Sequence, residues 1–344
     1  MGGGAWCTNL SAAYALLASQ LRSTGLVREE IEASSRAFSF GTARPQPNFY
    51  ADAPWRLPSA AVRVLALPLA DPLLAQSKEL PRLLARAARA VEAALPRGSI
   101  AWTQPTATLH ATIFHPGMSP GSLTPATATI APARAPSPTD LARELEKLRQ
   151  IAAMGADGRG NLIDLVVDRI VMSSGGVLLV LLAPAEGCGA DGVSNAVERM
   201  RAAASAAFPD AGRKQAKLLI HSSVLRLIRL PRDISADELR DTAKRIGVVC
   251  EHWAGRLQGA RVAIRGLLYV VEEQIMTLAG EQHKLWFGST RTFEQDGMQG
   301  AHGQRVLSAG GQSGRRWAAN LTTRRVGCNI GVAHPFASSK SSMP

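Results

Sequence analysis

The chain has 344 residues, of which 46% are hydrophobic and 19% charged, a composition that is typical of a globular protein and excludes a wholly disordered one. No stretch approaches the ~18 consecutive apolar residues that span a bilayer, so no membrane segment is expected. The formal net charge of +12 favours an anionic partner, nucleic acid ahead of a membrane surface. Part of the basic excess follows Asp296, the last acid, and an Arg-rich tail that only keeps the protein soluble is the alternative.

The cysteines and the N-terminus indicate a compartment. The cysteines are widely spaced and form no CxxC pair or Cys/His cluster, which argues against a zinc site or a disulfide framework and for a reducing environment. The N-terminus lacks the basic region of a secretory signal, although Arg22 and Arg28 ahead of the first acid, Glu29, form a weak organelle-transit pattern. We expect an intracellular monomer of the cytoplasm or nucleus that does not bind a membrane.

Two short segments share one pattern. Residues 109–114 read LHATIF and residues 220–225 read IHSSVL, in both cases apolar, His, small, hydroxyl, β-branched, apolar. Side chains alternate along a strand, so His110 shares a face with Thr112, and His221 with Ser223. Of the seven histidines, only these two have Ser or Thr two residues later. Two such strands brought together would present two imidazoles and two hydroxyls to one space, a set of groups suited to a phosphate.

The elements before the first motif are readily predicted. Residues 1–60 are expected to form an N-terminal arm that is partly disordered or helical. Partial apolar alternation predicts a core strand at 61–69, and apolar residues at spacings of three and four predict a helix at 77–95. A short strand at 100–102 then leads into the first histidine strand. The loop at 116–138, rich in Pro, Thr, Ser and Ala, is either a flexible insertion or a cover over the site.

The second half of the chain repeats the alternation of helix and strand. Its predicted elements are a helix from an N-cap at Thr139 to about residue 154, strands at 162–172 and 177–183 joined by the hairpin turn SSGG, a helix at 192–208, the second histidine strand at 216–228, a helix capped by Ser235 with Glu238 that runs to about residue 257, and one alternating strand at 260–272.

The hairpin requires antiparallel pairing, so this order predicts an α+β fold rather than a doubly wound sheet. We expect two pseudo-symmetric lobes of antiparallel sheet and helices around a central cleft, each lobe carrying one H-x-(S/T) strand. The folded domain is expected at 61–288 and a disordered basic tail at 289–344.

The two motifs, His110-Ala111-Thr112-Ile113 and His221-Ser222-Ser223-Val224, resemble the signature of the 2H phosphoesterase superfamily, which includes the 2′-5′ RNA ligase-like proteins and the cyclic nucleotide phosphodiesterases. The resemblance covers roughly residues 60–275. It implies a phosphodiesterase that takes part in RNA processing and acts on 2′,3′-cyclic or 2′-5′ phosphate linkages of an RNA end or a nucleotide.

The chemistry would need no metal and no cofactor. His110 and His221 would act as general acid and general base, in an order that the sequence leaves open, since two groups with a pKa near 6.5 can hold opposite roles. The hydroxyls of Thr112 and Ser223 would bind the substrate phosphate. Strand alternation turns Lys217 and Arg229 towards the His221 face, as candidates for phosphate steering, and turns Arg226 away from it.

Two other interpretations stay open. The first is a non-catalytic module that binds a nucleotide or RNA on the same fold. The second is a structural or interaction protein whose histidines are core residues. The sequence also leaves open whether the substrate is RNA or a small nucleotide, because aromatic residues for base stacking are only 5% of the chain.

Overall fold

The computed structural model describes residues 3–41, 44–52, 55–77, 79–117, 136–155, 162–185, 196–209, 211 and 219–288, with the backbone alone for residues 3–9. All of them belong to one compact unit that covers residues 1–292. Most of the 116–138 loop lies outside the described residues, as do Lys217 and the tail at 289–344. Among the helices that are described, none is long and apolar enough to cross a membrane.

Helices and strands are interspersed along these residues. The helices are α1 (Gly3–Thr24), α2 (Arg28–Ser35), α3 (Glu79–Ala94), α4 (Pro138–Ala153), α5 (Ala196–Ala207) and α6 (Ala236–Leu257). The strands are β1 (Phe38–Phe40), β2 (Pro45–Pro47), β3 (Arg63–Pro68), β4 (Ala75–Gln76), β5 (Ile100–Thr103), β6 (His110–Phe114), β7 (Ile163–Met172), β8 (Val177–Pro184), β9 (His221–Arg229), β10 (Arg261–Ile264), β11 (Gly266–Gln274) and β12 (Ala279–Trp286).

The larger sheet is antiparallel throughout and has the strand order β4-β10-β7-β8-β9-β5. Its strands β7 and β8 form the predicted hairpin. The turn between them needs a glycine at Gly176, where φ is +75° and a Cβ would come within 2.9 Å of the Leu227 Cβ. Helix α6 packs on β7 and α3 packs on α6, so this sheet carries the second motif strand beneath a helical layer.

The smaller sheet has the order β12-β11-β3-β6, also antiparallel, with the first motif strand at its edge. Helix α4 packs against β11 and β12, and α5 packs against β6. The predicted α+β class is therefore confirmed, and each sheet contains one H-x-(S/T) strand.

The two sheets exchange strands between the halves of the sequence. Strand β5 precedes the first motif yet pairs with β9, and the late strand β11 pairs with β3. The prediction of one strand at 260–272 is wrong because the chain changes sheets at Arg265. At the next residue, Gly266, a Cβ would lie 2.4 Å from the Leu285 carbonyl oxygen. The sequence analysis did not predict strand β12, which covers the far edge of the smaller sheet.

The N-terminal residues are helical and packed against the sheets. Leu21, Leu26 and Ile31 are buried in the main core, and the Val27 N–H donates to the Ser174 carbonyl in the β7–β8 turn at 2.8 Å. These contacts attach α1 and α2 to the larger sheet. The domain limits at 60 and 288 stay predictions.

The start of α4 corrects a second prediction. The N-cap is Ser137, not Thr139: its hydroxyl accepts from the Asp140 N–H, and the Asp140 carboxylate accepts from the Ser137 N–H at 3.0 Å. This reciprocal pair satisfies two N–H groups at once, and the fixed φ of Pro138 suits the first helical position. The predicted cap of α6 is confirmed, since the Ser235 hydroxyl accepts from the Glu238 N–H at 3.1 Å.

Candidate active site

The connection from β5 to β6 brings the two motif strands together. Strand β5 pairs with β9, and the Gln104 N–H directly after it donates to the Val224 carbonyl at 3.0 Å. The chain then makes one 3₁₀ turn at Thr106–Thr108 and enters the smaller sheet at His110. As a result, β6 lies against β9 although the two strands belong to different sheets.

His110 is held by this connection. Its Nδ1 lies 2.8 Å from the Thr108 carbonyl oxygen, and the Thr108 hydroxyl in turn accepts from the Gln104 amide at 2.7 Å. A carbonyl can only accept, so Nδ1 carries the proton and Nε2 of the neutral ring keeps its lone pair. Burial lowers the pKa of His110 below its usual 6.5, the Thr108 carbonyl opposes that shift, and the charge of Arg226 adds to it. His110 is therefore neutral at pH 7.

The four motif side chains follow the predicted alternation. His110, Thr112, His221 and Ser223 are half-buried, whereas the residues between them, Ala111 and Ser222, are buried on the opposite face. This alternation places the imidazoles and hydroxyls on the more open face of each strand. Their catalytic and phosphate-binding roles stay predictions.

Arg201 of α5 joins the two motif strands. Its Nη2 donates to the Thr112 carbonyl on β6 at 3.1 Å and to the Leu219 carbonyl just before β9 at 2.9 Å. Burial lowers the pKa of this guanidinium to about 10, which leaves it charged at neutral pH. One cation thus fixes the separation between the two strands.

Tyr14 of α1 forms hydrogen bonds with the backbone next to the second motif. Its hydroxyl lies 2.6 Å from the Leu182 carbonyl and 3.0 Å from the Ile220 carbonyl, and it accepts from the Ile220 N–H at 3.1 Å. The phenol is buried, and that burial raises its pKa. The N-terminal helix therefore contacts the residue directly before His221.

Arg226 lies on the same face as the motif side chains, although strand alternation predicted the opposite face. Its guanidinium donates to the Ser223 hydroxyl at 3.2 Å, and its charge acts on His110. The reason is a β-bulge: Leu178 and Leu179 of β8 pair with Leu225 and Ser223 of β9, so Val224 is an extra residue. A bulge of one residue reverses the faces beyond it, and Arg226 joins the face of Ser223.

The Arg226 charge is poorly compensated. Burial lowers its pKa to about 10, and no carboxylate in the described part of the chain pairs with it. A buried guanidinium without an acidic partner favours an anion beside it, because the charge has lost most of its hydration.

Of the two predicted steering residues, the structure describes only Arg229. Arg229 is exposed at the far end of β9, with its guanidinium carbon 4.0 Å from the centroid of the Phe40 ring. Lys217 lies outside the described residues. Within those residues, no three His, Cys, Asp or Glu side chains cluster as metal ligands would.

The sequence marks neither Arg201 nor Tyr14 as part of the site, and its alternation turns Arg226 away from it. The first two are remote in sequence from the motif strands that they contact, and no local pattern marks them. Arg226 had a usable signal, because it follows Ser223 of the second motif by three residues, but the direction of its side chain depends on the bulge.

No protein-family model matches the chain, and no curated protein matches it either. Among solved structures, Usb1 of Kluyveromyces marxianus is similar over 66% of this chain and 98% of that protein, with 9% identity and a TM-score of 0.38. A conserved protein of unknown function from Agrobacterium tumefaciens strain C58 is similar over 76% of this chain and 100% of its own, with 11% identity and a TM-score of 0.40. Likeness at this level does not assign the chain to a family.

Proposed function

We propose that the protein is a metal-independent phosphodiesterase of the 2H type that opens 2′,3′-cyclic or 2′-5′ phosphate linkages of an RNA end or a nucleotide. The observation that carries this proposal is the buried Arg226 guanidinium, which donates to the Ser223 hydroxyl on β9 and has no carboxylate partner in the described residues. A cation that donates to one motif hydroxyl and acts on one motif imidazole suits a phosphodiester anion.

Arg226 and the two hydroxyls would hold the phosphate. A guanidinium binds phosphate oxygens with paired N–H donors, and the Ser223 hydroxyl already lies within its reach at 3.2 Å. Thr112 would approach from β6. The hydrogen bond from Arg201 to the Thr112 carbonyl fixes the position of that strand. Negative charge that builds on the non-bridging oxygens would thus meet donors from both strands.

His110 is assigned as the general base and His221 as the general acid. With Nδ1 donating to the Thr108 carbonyl, the Nε2 lone pair of neutral His110 can take a proton from water. The water oxygen forms a bond to phosphorus, and the bond from phosphorus to the 2′ or 3′ oxygen breaks. His221 gives that leaving oxygen its proton. The products are a phosphate monoester and a free hydroxyl.

The test is turnover of a panel of nucleoside 2′,3′-cyclic phosphates and 2′-5′-linked dinucleotides. His110→Ala and His221→Ala should each lower kcat by ~100- to 10,000-fold, the usual contribution of a general acid or base. His252→Ala, an exposed position on α6, is the matched control and should keep wild-type turnover. Wild-type rates in both motif variants would refute the proposal. Binding of these ligands without turnover would favour a nucleotide-binding module instead.

A further inference from the structure

A cavity of about 130 Å³ lies beside the candidate site, and none of the motif residues lines it. It is lined by the end of α2, by Tyr50 and Trp55 and by the residues that follow β11, and Arg226 of β9 forms part of its wall. A cavity needs only about 10–15 Å³ to hold one water, so this one has room for a ring.

The wall is aromatic, and two of its rings make defined contacts with neighbouring residues. Phe38, Tyr50 and Trp55 line it together with Ile275 and Met276. The Tyr50 hydroxyl donates to the buried Glu272 carboxylate at 2.8 Å, so this ring is fixed. Phe38 packs against Trp102 with their ring centroids 5.5 Å apart. A preformed aromatic wall of this kind suits a planar ligand.

Two N–H donors on residues that line the cavity have no hydrogen-bond partner among the described residues. Trp55 is 7% exposed, and its indole Nε1 is buried without a hydrogen bond among the described residues. The Arg226 Nε is in the same condition. A buried donor without an acceptor is unfavourable, and an acceptor on a bound ligand relieves that cost. The cavity therefore fits a planar ring that carries hydrogen-bond acceptors.

Arg226 connects this cavity to the candidate phosphate site, because it both lines the cavity and donates to the Ser223 hydroxyl. We infer that the cavity is the nucleobase pocket of the substrate, with the phosphate at the motif and the base among Phe38, Tyr50 and Trp55. The phosphate half of this inference rests on the proposed function. The base half depends on residues ahead of the motif sheets, which would make the N-terminal segment a determinant of specificity.

Calorimetry of the full chain with nucleoside 2′-monophosphates and with inorganic phosphate tests the inference. Trp55→Phe keeps an aromatic ring but removes the N–H, and should weaken nucleotide binding about fivefold to tenfold, the loss expected for one hydrogen bond. Ala33→Leu, at an exposed wall position, narrows the cavity without disturbing the core and should weaken it more than tenfold. Binding of inorganic phosphate should not change in either variant.

The controls are Trp286→Phe on β12 and Ala12→Leu on α1, both at exposed positions away from the cavity. Wild-type nucleotide affinity in Trp55→Phe and Ala33→Leu overturns the inference, as does a wild-type protein that binds nucleotides no better than phosphate. If the histidine variants turn over normally while nucleotide binding still depends on Ala33, the proposed catalysis fails and the pocket stands. If the histidine variants are inactive while Ala33→Leu binds nucleotides normally, the inference about the pocket is refuted and the proposed catalysis stands.

Discussion

Replacement of Arg201 by methionine tests whether the separation of the two motif strands is set by one side chain. The substitution keeps most of the aliphatic stem and removes both donors, one to the Thr112 carbonyl at 3.1 Å and one to the Leu219 carbonyl at 2.9 Å. Each carbonyl then loses its Arg201 partner.

The magnitude follows from two opposing effects. Each buried acceptor left without a partner costs about 1–3 kcal/mol, so the two carbonyls together cost about 2–6 kcal/mol. Removal of the buried charge returns part of this. Its pKa falls from 12.5 to about 10, which at ~1.4 kcal/mol per unit corresponds to about 3 kcal/mol. The two effects together leave a loss of at most about 3 kcal/mol in the free energy of unfolding.

Urea unfolding followed by tryptophan fluorescence measures that loss, with Arg149→Met as the control because Arg149 is half exposed in a surface pair with Glu146. The second readout is turnover, measured without urea at a temperature well below the melting point. A displacement of about 1 Å between reacting groups can cost ~100-fold, so kcat should fall at least tenfold. If Arg201→Met is as stable as Arg149→Met and turns over normally, Arg201 does not hold the strands in place.

Two further predictions concern Tyr14 and Arg226. Tyr14→Phe leaves the Ile220 N–H without its acceptor, and should lower the free energy of unfolding by about 1–3 kcal/mol in the same urea assay; an unchanged midpoint would mean that α1 contributes nothing to the second motif. Arg226→Met should raise the pKa of His110, because the Arg226 charge lowers it, although burial is the larger cause. Since the base must be neutral, the acidic limb of the pH profile of kcat/KM should move to higher pH in Arg226→Met. The control, Arg229→Met, should leave this limb in place. If the limb also stays in place in Arg226→Met, the Arg226 charge does not act on His110.

The sequence predicted the motif strands because alternation is a local property. His110 and Thr112 lie on one face of β6 as the spacing requires, and the same is true of His221 and Ser223 on β9. The helices with clear apolar stripes, such as α3, were also predicted within a few residues. Each of these patterns needs only its own segment to be specified.

The features that the sequence did not predict depend on partners remote in the chain. The bulge at Val224 exists because β8 and β9 pair with one residue out of step, and it decides where Arg226 points. The change of sheet at Arg265 is not marked by the apolar residues on either side of it, because Val262, Ile264, Leu268 and Val270 all share one parity. The short strands β1, β2 and β4 have two or three residues each, too few for a period to be recognised.

The exchange of strands between the sheets has a consequence for folding. Strand β3 pairs with β6 on one side and with the much later β11 on the other, and β5 pairs with the much later β9. Neither sheet is therefore complete until residues beyond 260 have joined it. Pairings of such long sequence separation carry a high loop-closure cost and are slow to form. During synthesis, the edge of β3 would stay open until the last sheet residues leave the ribosome, and a truncation before β11 would yield a chain that aggregates rather than a smaller domain.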